Sequence, residues 1–422
     1  MVQPYVPLTV ATLAARLGGV AEVRSRLGDP DLWRVREIGD GNLNLVFVVE
    51  GPAGGVIVKQ ALPYVRLVGE SWPLPLSRSF FEFHALTRQQ QRDPGSVPEV
   101  YYFEAAQALI VMEFLGAHII LRQGLMAGQR YHGLGRRLGE FCARTLFKGS
   151  DLAMPAAARK ADLALFAGNV ALCDITENLV FTDPYWEAPL NRHTPGLEAV
   201  VARLRADQPL KIAAQHLKCA FASRAETLLH GDLHTGSVMV SDRDIRVIDP
   251  EFATYGPMGF DVGMLIANFL MAFLSQPGHA EAPGARDQHG AWILGEAEAI
   301  WSGFVTEFTD LWRGGRTGML YPVRLYEAQG HQAAAELARL DWLAQVWRDA
   351  LGFCGVEMHR RILGLAHNAD FEHIADVAVR ARLEARALGL GRVLALGRLA
   401  ITDMAAVCDL TRLAAQEAGF ES

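Results

Sequence analysis

Seventeen positions separate Asp232 from Asp249, and the residues between them leave little freedom in how the two acids are presented. The first lies in His230-Gly231-Asp232-Leu233-His234 and the second in Asp249-Pro250-Glu251. Between them run Val238-Met239-Val240, a polar turn at Ser241-Asp242-Arg243-Asp244, and the apolar stretch Ile245 to Ile248, which together read as a β-hairpin. Such a hairpin puts one carboxylate on a loop before its first strand and two more just after its second. Phosphoryl transfer from a nucleotide asks for this arrangement. One carboxylate receives the proton of an attacking hydroxyl, and others hold the magnesium that bridges the phosphates.

The chain of 422 residues is long enough for two or more packed units. Half of it is apolar and its net charge is −7, a balance that fits a soluble enzyme and lacks the basic field of a nucleic-acid binder. The N-terminus has no basic region followed by an apolar core, so no secretory signal is expected. The run from Gly263 to Leu274 is too short to span a membrane and contains Asn268, so no membrane role is expected either. The five cysteines are scattered without metal-type spacing, which favours reduced thiols in a cytoplasmic protein over a zinc site.

Residues before about 115 read as strands and turns with one or two helices. Arg34 to Ile38 and Leu43 to Val49 flank the turn Gly39-Asp40-Gly41-Asn42; Val56 to Gln60 and Ala108 to Phe114 are further strands, and Arg78 to Gln91 fits a helix. Beyond that the pattern is chiefly helical. Thr194-Pro195 has the composition of a helix start, Ala333 to Ala366 and Ala378 to Ala415 are long apolar segments, and Pro277 to Gly290 reads as a loop. The expected architecture is α+β with two lobes: a β-rich nucleotide-binding lobe over residues 1–115, a hinge at 113–115, and a mainly helical lobe over 116–422 that holds the catalytic loop and the sugar site.

Asp232 is the prime candidate for orienting an acceptor hydroxyl and taking its proton, against the plainer reading of an acid capping a turn. Asp249 and Glu251, with Pro250 fixing the turn between them, offer the hard oxygens that magnesium takes alongside water and phosphate. Lys59 ends the apolar run Val56-Ile57-Val58, where a cation is costly unless an anion such as a nucleotide phosphate meets it; Glu82 is a candidate partner. An edge-strand lysine reaching to solvent is the alternative. The turn from Gly39 to Asn44 could cover phosphates with its amides and with either Asn42 or Asn44, although a bare type I′ turn explains Gly41 and Asn42 equally well. Arg360 and Arg361 lie in the otherwise apolar Leu351 to Leu365, where they need anions: a phosphoryl oxygen, a sugar hydroxyl, or simply Glu357. By spacing alone the ion pair is the simpler account. Trp72, in Gly69-Glu70-Ser71-Trp72-Pro73, either covers a ligand or packs.

Taken together these motifs resemble the methylthioribose kinase family, within the kinase-like superfamily that includes aminoglycoside and choline phosphotransferases. The resemblance runs through nearly the full length: Glu37 to Asn44, Val68 to Leu74, Cys173 to Glu177, His230 to Ser237, Asp249 to Phe252, Tyr255 to Asp261, and Arg360-Arg361 before Gly364 to His367. It implies a protein-kinase-like fold and ATP-dependent phosphorylation of the anomeric hydroxyl of methylthioribose, with Mg2+, in a homodimer. It further implies that Asp232 is the catalytic, sugar-contacting acid, that Asp249 and Glu251 bind the metal, and that Lys59 meets phosphate. Glu113, Phe114 and Leu115 become the linker that meets adenine through its backbone, and the arginine pair moves to the sugar and the transferring phosphate. The position five after the catalytic acid is Ser237, where kinases commonly carry an Asn ligand, and the metal motif is Asp-Pro-Glu in place of Asp-Phe-Gly. Both departures agree with this family and count against an aminoglycoside or protein kinase. Phe114 stands where a more polar linker residue is expected. The rivals are a phosphotransferase for another small sugar or amino sugar, and a non-catalytic nucleotide-binding regulator.

Overall fold

The computed structural model describes residues 4–38, 43–65 and 69–416. It forms two compact units: the first is Met1–His118 with Asn169–Leu172 and Arg246–Ala253, the second Ile119–Gly168, Cys173–Ile245 and Thr254–Ser422.

The first unit opens with helices α1 (Val10–Leu17) and α2 (Ala21–Leu27), then strands β1 (Arg34–Glu37), β2 (Asn44–Gly51) and β3 (Gly54–Ala61). A two-stranded ribbon, β4 (Tyr64–Val65) and β5 (Gly69–Pro73), precedes α3 (Arg78–Arg92), and β6 (Val100–Glu104) and β7 (Leu109–Glu113) complete an antiparallel sheet of order β1-β2-β3-β7-β6. Side chains alternate across a strand, so Leu45, Phe47 and Val49 of β2, Val56 and Val58 of β3, and Leu109 and Val111 of β7 share one face. They form a single apolar cluster with Leu13, Leu17, Val23 and Leu27 of the two helices. The opposite face carries Lys59, which is paired in register with Val46 and Ile110. Helix α3 buries Phe81, Ala85 and Leu86, and on the same side the polar Arg78 and Glu82, four residues apart. The segment Arg246–Ala253 belongs to this unit, tied to it where Val247 N–H donates to Ser96 O at 2.8 Å.

The second unit runs from β8 (Ile119–Ile120) and α4 (Leu121–Met126) through α5 (Leu134–Lys148), α6 (Ala156–Phe166), α7 (Val170–Leu179, in this unit from Cys173 on), α8 (Glu198–Ala206) and α9 (Gln208–Ser223). Short strands follow at β9 (Thr227–Leu228), β10 (Val238–Val240), β11 (Ile245–Val247, of which Arg246 and Val247 belong to the first unit) and β12 (Tyr255–Gly256), and then α10 (Gly259–Ser275), α11 (Asp287–Gly314), α12 (Gln332–Leu363), α13 (Ala369–Glu372), α14 (Val377–Gly397) and α15 (Met404–Gln416). The turn between β10 and β11 is closed by Ser241 N–H donating to Asp244 O at 2.9 Å. Helix α10 is the centre of the unit. With the turn after it, it forms a 21-residue apolar stretch, longer than the run from Gly263 to Leu274 indicates, and 94% of its most apolar window is buried. Gly263 lets α12 approach closely, since a Cβ there would lie 2.4 Å from Ala350 O.

Three expectations differ from what forms. Helix α8 starts at Glu198 and not at Thr194-Pro195, because Gly196 takes φ +101°, which no helix accommodates. The segment Ala378 to Ala415 breaks after Gly397, whose carbonyl accepts from Ala400 and Ile401 N–H at 2.8 and 3.0 Å, and Asp403 starts α15 by accepting from Ala406 N–H at 2.9 Å. The loop expected over Pro277 to Gly290 is shorter, since a 3-10 turn covers Gln276–His279 and α11 begins at Asp287.

Candidate active site

In the first unit, Lys59 is almost fully buried, and its ammonium donates to Glu82 Oε1 at 2.8 Å and to Asp249 Oδ1. Burial by itself pulls the ammonium down, but Asp249, Glu82 and Glu251 outweigh it and hold Lys59 charged, above the usual lysine range. Asp249 adopts φ +67°, a left-handed conformation that Asp tolerates better than most residues. Two residues on, Glu251 is buried, with Oε2 accepting from Asn44 Nδ2 at 3.3 Å and lying 3.5 Å from Arg78 Nε. Arg78, sealed from solvent, also donates to Asn44 Oδ1 at 3.2 Å and to Leu62 O at 2.5 Å. Asn169 pins the backbone on either side of Phe252 by donating to Glu251 O and Ala253 O at 2.9 and 3.0 Å.

Glu82, Asp249 and Glu251 bring one oxygen each within 4.8 Å of one another. Three carboxylates thus face two cations, Lys59 and Arg78. Burial first, and then the neighbouring Asp249, push the Glu251 carboxyl up, and burial does the same to Glu82 against the pull of Lys59. Hard oxygens in excess of their cations are the donor set a magnesium ion takes.

In the second unit, Gly231 takes φ +88°, and Asp261 at the start of α10 accepts from His230 N–H at 2.7 Å and Gly231 N–H at 3.0 Å. This fixes the loop that presents Asp232. Asp232 Oδ1 accepts from Arg361 Nη2 at 2.9 Å and Arg360 Nη1 at 3.3 Å, while Oδ2 lies 3.3 Å from His234 Nε2. Glu357, one turn earlier on α12, accepts from Arg361 Nε at 2.6 Å and Arg360 Nη1 at 3.2 Å. The arginine pair therefore meets both Glu357 and Asp232. Burial would push the Asp232 carboxyl up, but His234, Arg361 and Arg360 together hold it well below the usual carboxylate range. Burial, with Arg361, pulls His234 down to about 4, so its imidazole is neutral. Behind them Arg122 lies 3.2 Å from Asp370 and donates to Asn268 Oδ1 at 3.0 Å.

Of the remaining candidates, Glu113 ends β7, where its carboxylate accepts from Glu99 N–H and Arg246 Nη1, both at 3.2 Å. Phe114 packs so closely on β3 that a Cβ at Gly55 would lie 2.8 Å from its ring, and Leu115 is buried with its carbonyl accepting from His118 N–H at 3.0 Å. Pro250 O accepts from Ala253 N–H at 3.2 Å. Asn42 lies outside the described residues; Asn44 is buried, its amide committed to Glu251 and Arg78. Arg78, Arg122, Asn169 and Asn268 were given no site role from the sequence, and Asp261 entered only as the end of the Tyr255 to Asp261 motif. Arg78 had a signal, a cation four residues before Glu82 on the helix face that also carries Phe81, Ala85 and Leu86. Arg122 and Asn169 had none, since their partners lie more than 80 residues away.

An antiparallel sheet carrying a lysine–carboxylate cluster and a helical unit carrying a looped aspartate define a kinase-like phosphotransferase. Residues 34–292 match the phosphotransferase enzyme family. The chain is 42% identical over 389 residues to "Methylthioribose kinase 1" of Oryza sativa subsp. japonica, covering 91% of this chain and 90% of the relative, and 42% identical over 385 residues to "Methylthioribose kinase" of Escherichia coli, covering 90% and 91%. It belongs to the methylthioribose kinase family. Among solved structures, a glucosamine kinase in complex with glucosamine, ADP and inorganic phosphate superposes with a TM-score of 0.48 at 15% identity, covering 91% of this chain and 86% of that one. The expected small β-rich and large helical parts are both present.

Proposed function

We propose that the chain transfers the terminal phosphoryl group of ATP to the anomeric hydroxyl of S-methyl-5-thio-D-ribose, giving the 1-phosphate, a step of methionine salvage. Its membership of the methylthioribose kinase family supports the acceptor. The observation that carries the reading is the grip on Asp232, whose carboxylate is held by Arg361 and Arg360 on one oxygen and by His234 on the other. A carboxylate so heavily paired is a weak base but a rigid one. That suits phosphoryl transfer, in which the nucleophile needs alignment more than early deprotonation. Asp232 orients the hydroxyl and takes its proton, and Arg360 and Arg361 meet the sugar and the transferring phosphoryl oxygens.

Lys59, held by Glu82, meets the nucleotide phosphates, and the backbone of Glu113, Phe114 and Leu115 meets adenine. Asp249 and Glu251 would hold Mg2+, which when bound neutralises charge on the phosphates. Asn44 serves the nucleotide through its hold on Glu251. We place the enzyme in the cytoplasm as a homodimer; five cysteines, none joined in a disulfide, support a reducing compartment. The test is an acceptor panel with γ-labelled ATP. Transfer to methylthioribose is expected; transfer to kanamycin but not to methylthioribose overturns the acceptor, and ATP binding without turnover on any sugar overturns the enzyme.

A further inference from the structure

Asp232 is tied in a pattern that leaves one position open. A carboxylate oxygen offers two lone pairs. Those of Oδ1 are filled by Arg360 and Arg361 at 3.3 and 2.9 Å. Oδ2 has His234 Nε2 at 3.3 Å and, among the described residues, no second partner. Which nitrogen of His234 carries the proton is decided by its surroundings. Nδ1 lies 2.9 Å from Gly236 N–H and 3.3 Å from Arg122 Nη2, and both of these only donate. Nδ1 is therefore an acceptor, and the proton of the neutral ring sits on Nε2, aimed at Asp232.

Arg122 is in turn fixed on every side. Its Nε lies 3.1 Å from Thr235 Oγ1 and 3.2 Å from Asp370 Oδ2, and its Nη2 donates to Asn268 Oδ1 at 3.0 Å. Asn268 donates to Glu357 Oε1 at 3.4 Å, and Glu357 holds the arginine pair, so the ring of contacts closes on Asp232. Gly236 leaves room for it: a Cβ there would lie 2.7 Å from the imidazole of His234.

We propose that His234, locked by Arg122 and the Gly236 amide, is a positioning residue that reserves the last lone pair of Asp232 Oδ2 for the acceptor hydroxyl. The inference rests on the reading of Asp232 above. In the step, the hydroxyl oxygen bonds to the terminal phosphorus of ATP and the bond from that phosphorus to the bridging oxygen breaks, its electrons leaving with ADP. The hydroxyl proton passes to Oδ2, while His234 stays neutral and donates throughout. Without His234, Oδ2 has two open lone pairs, and the hydroxyl is held in orientations of which only some are in line; misplacement of this size costs about 10²-fold.

The test uses the full chain with His234→Leu, His234→Asn and His234→Gln. The leucine and asparagine variants are expected to lose about 10²-fold in kcat, with KM for ATP and for the sugar within about threefold of native and an unaltered thermal midpoint. The amide of Gln reaches the place of Nε2–H, whereas that of Asn is too short, so His234→Gln recovers most of the loss. Should the leucine variant fail to fold, the Asn–Gln contrast decides alone. Arg122→Met is expected to slow the enzyme to a similar degree and to add little on top of His234→Leu. His234→Asn at native kcat, a Gln variant as slow as Asn, or losses at Arg122 and His234 that multiply overturn the proposal. Native turnover in Asp232→Asn would instead remove the reading on which it rests.

Discussion

His359 immediately precedes the Arg360–Arg361 pair and is sealed from solvent. Its Nε2 lies 3.0 Å from the carbonyl oxygen of Leu388, which only accepts, so that nitrogen carries the proton and Nδ1, 3.0 Å from the Tyr185 hydroxyl, accepts. A second proton would place a charge in a dry site. Burial above all pulls the imidazole down, to about 4, with the Leu388 carbonyl opposing. An unfolded histidine titrates near 6.5. Because the folded value is the lower one, the unfolded chain binds more protons between the two, so stability is complete above about 6.5 and falls as pH drops towards 4. At 1.36 kcal/mol per pH unit the whole window is worth about 3.4 kcal/mol, and the portion between pH 7.5 and 5.0 about 2 kcal/mol.

The perturbation is His359→Gln, which removes the titration. The variant is expected to be less stable at every pH, so the quantity to compare is the change with pH. Urea unfolding followed by tryptophan fluorescence at pH 7.5 and 5.0 measures it, since six of the eight tryptophans lie in the second unit. His234, also pulled down to about 4, contributes with the same sign in both proteins. The native chain should therefore lose about 2 kcal/mol more than the variant on acidification. An equal loss in both would show that His359 does not resist protonation, and the tautomer assigned from Leu388 would fall with it.

Asp232→Ala is expected to leave ATP binding near native by calorimetry while sugar phosphorylation drops at least ~10²-fold; unchanged turnover would remove Asp232 from the mechanism. Asp249→Asn should raise the magnesium concentration needed for half-maximal rate by about tenfold, and chelation should abolish native turnover; indifference to chelator would refute the metal assignment of Asp249 and Glu251. Glu357→Gln leaves Arg360 and Arg361 facing Asp232 as their remaining carboxylate, so unfolding should become easier by about 3–5 kcal/mol. A calorimetric midpoint within a degree of native would mean that Glu357 is not holding the pair.

Sequence made the local parts of this site legible and left the distant ones hidden. The short apolar run Val56-Ile57-Val58 was enough to place Lys59 on a strand, and the helix expected over Arg78 to Gln91 put Glu82 on α3. The motif around Asp232 announced itself by composition. Arg122 could not be found that way, because it takes its meaning from Asn268 and Asp370, contributed by α10 and α13. Asn44 looked like a phosphate ligand because it follows a glycine turn, yet its amide is held by Glu251 and Arg78, a pairing that only the fold reveals. Gly196 misled in the other direction: Thr194-Pro195 has the right residues for a helix start, and one glycine in a left-handed conformation postpones the helix to Glu198.

The two clusters differ in charge in a way that suits the tasks proposed for them. In the first unit Glu82, Asp249 and Glu251 outnumber Lys59 and Arg78, and burial first, then the neighbouring Asp249, pushes Glu251 towards protonation. Such a set is incomplete by itself and gains most from a divalent cation bound with its nucleotide. In the second unit Asp232, Glu357 and Asp370 are matched by Arg360, Arg361 and Arg122, so the network is balanced in charge, and Asp232 remains ionised far below physiological pH. A balanced network has little to gain from an added ion and much from one neutral hydrogen-bond donor, which is what an acceptor hydroxyl is. Under the proposed function, selectivity for metal in one unit and for a neutral alcohol in the other would follow from counting charges within each cluster. Replacing Arg78 with a neutral residue should deepen the first imbalance and strengthen cation binding, whereas neutralising Arg122 should unbalance the second and leave the metal requirement unchanged.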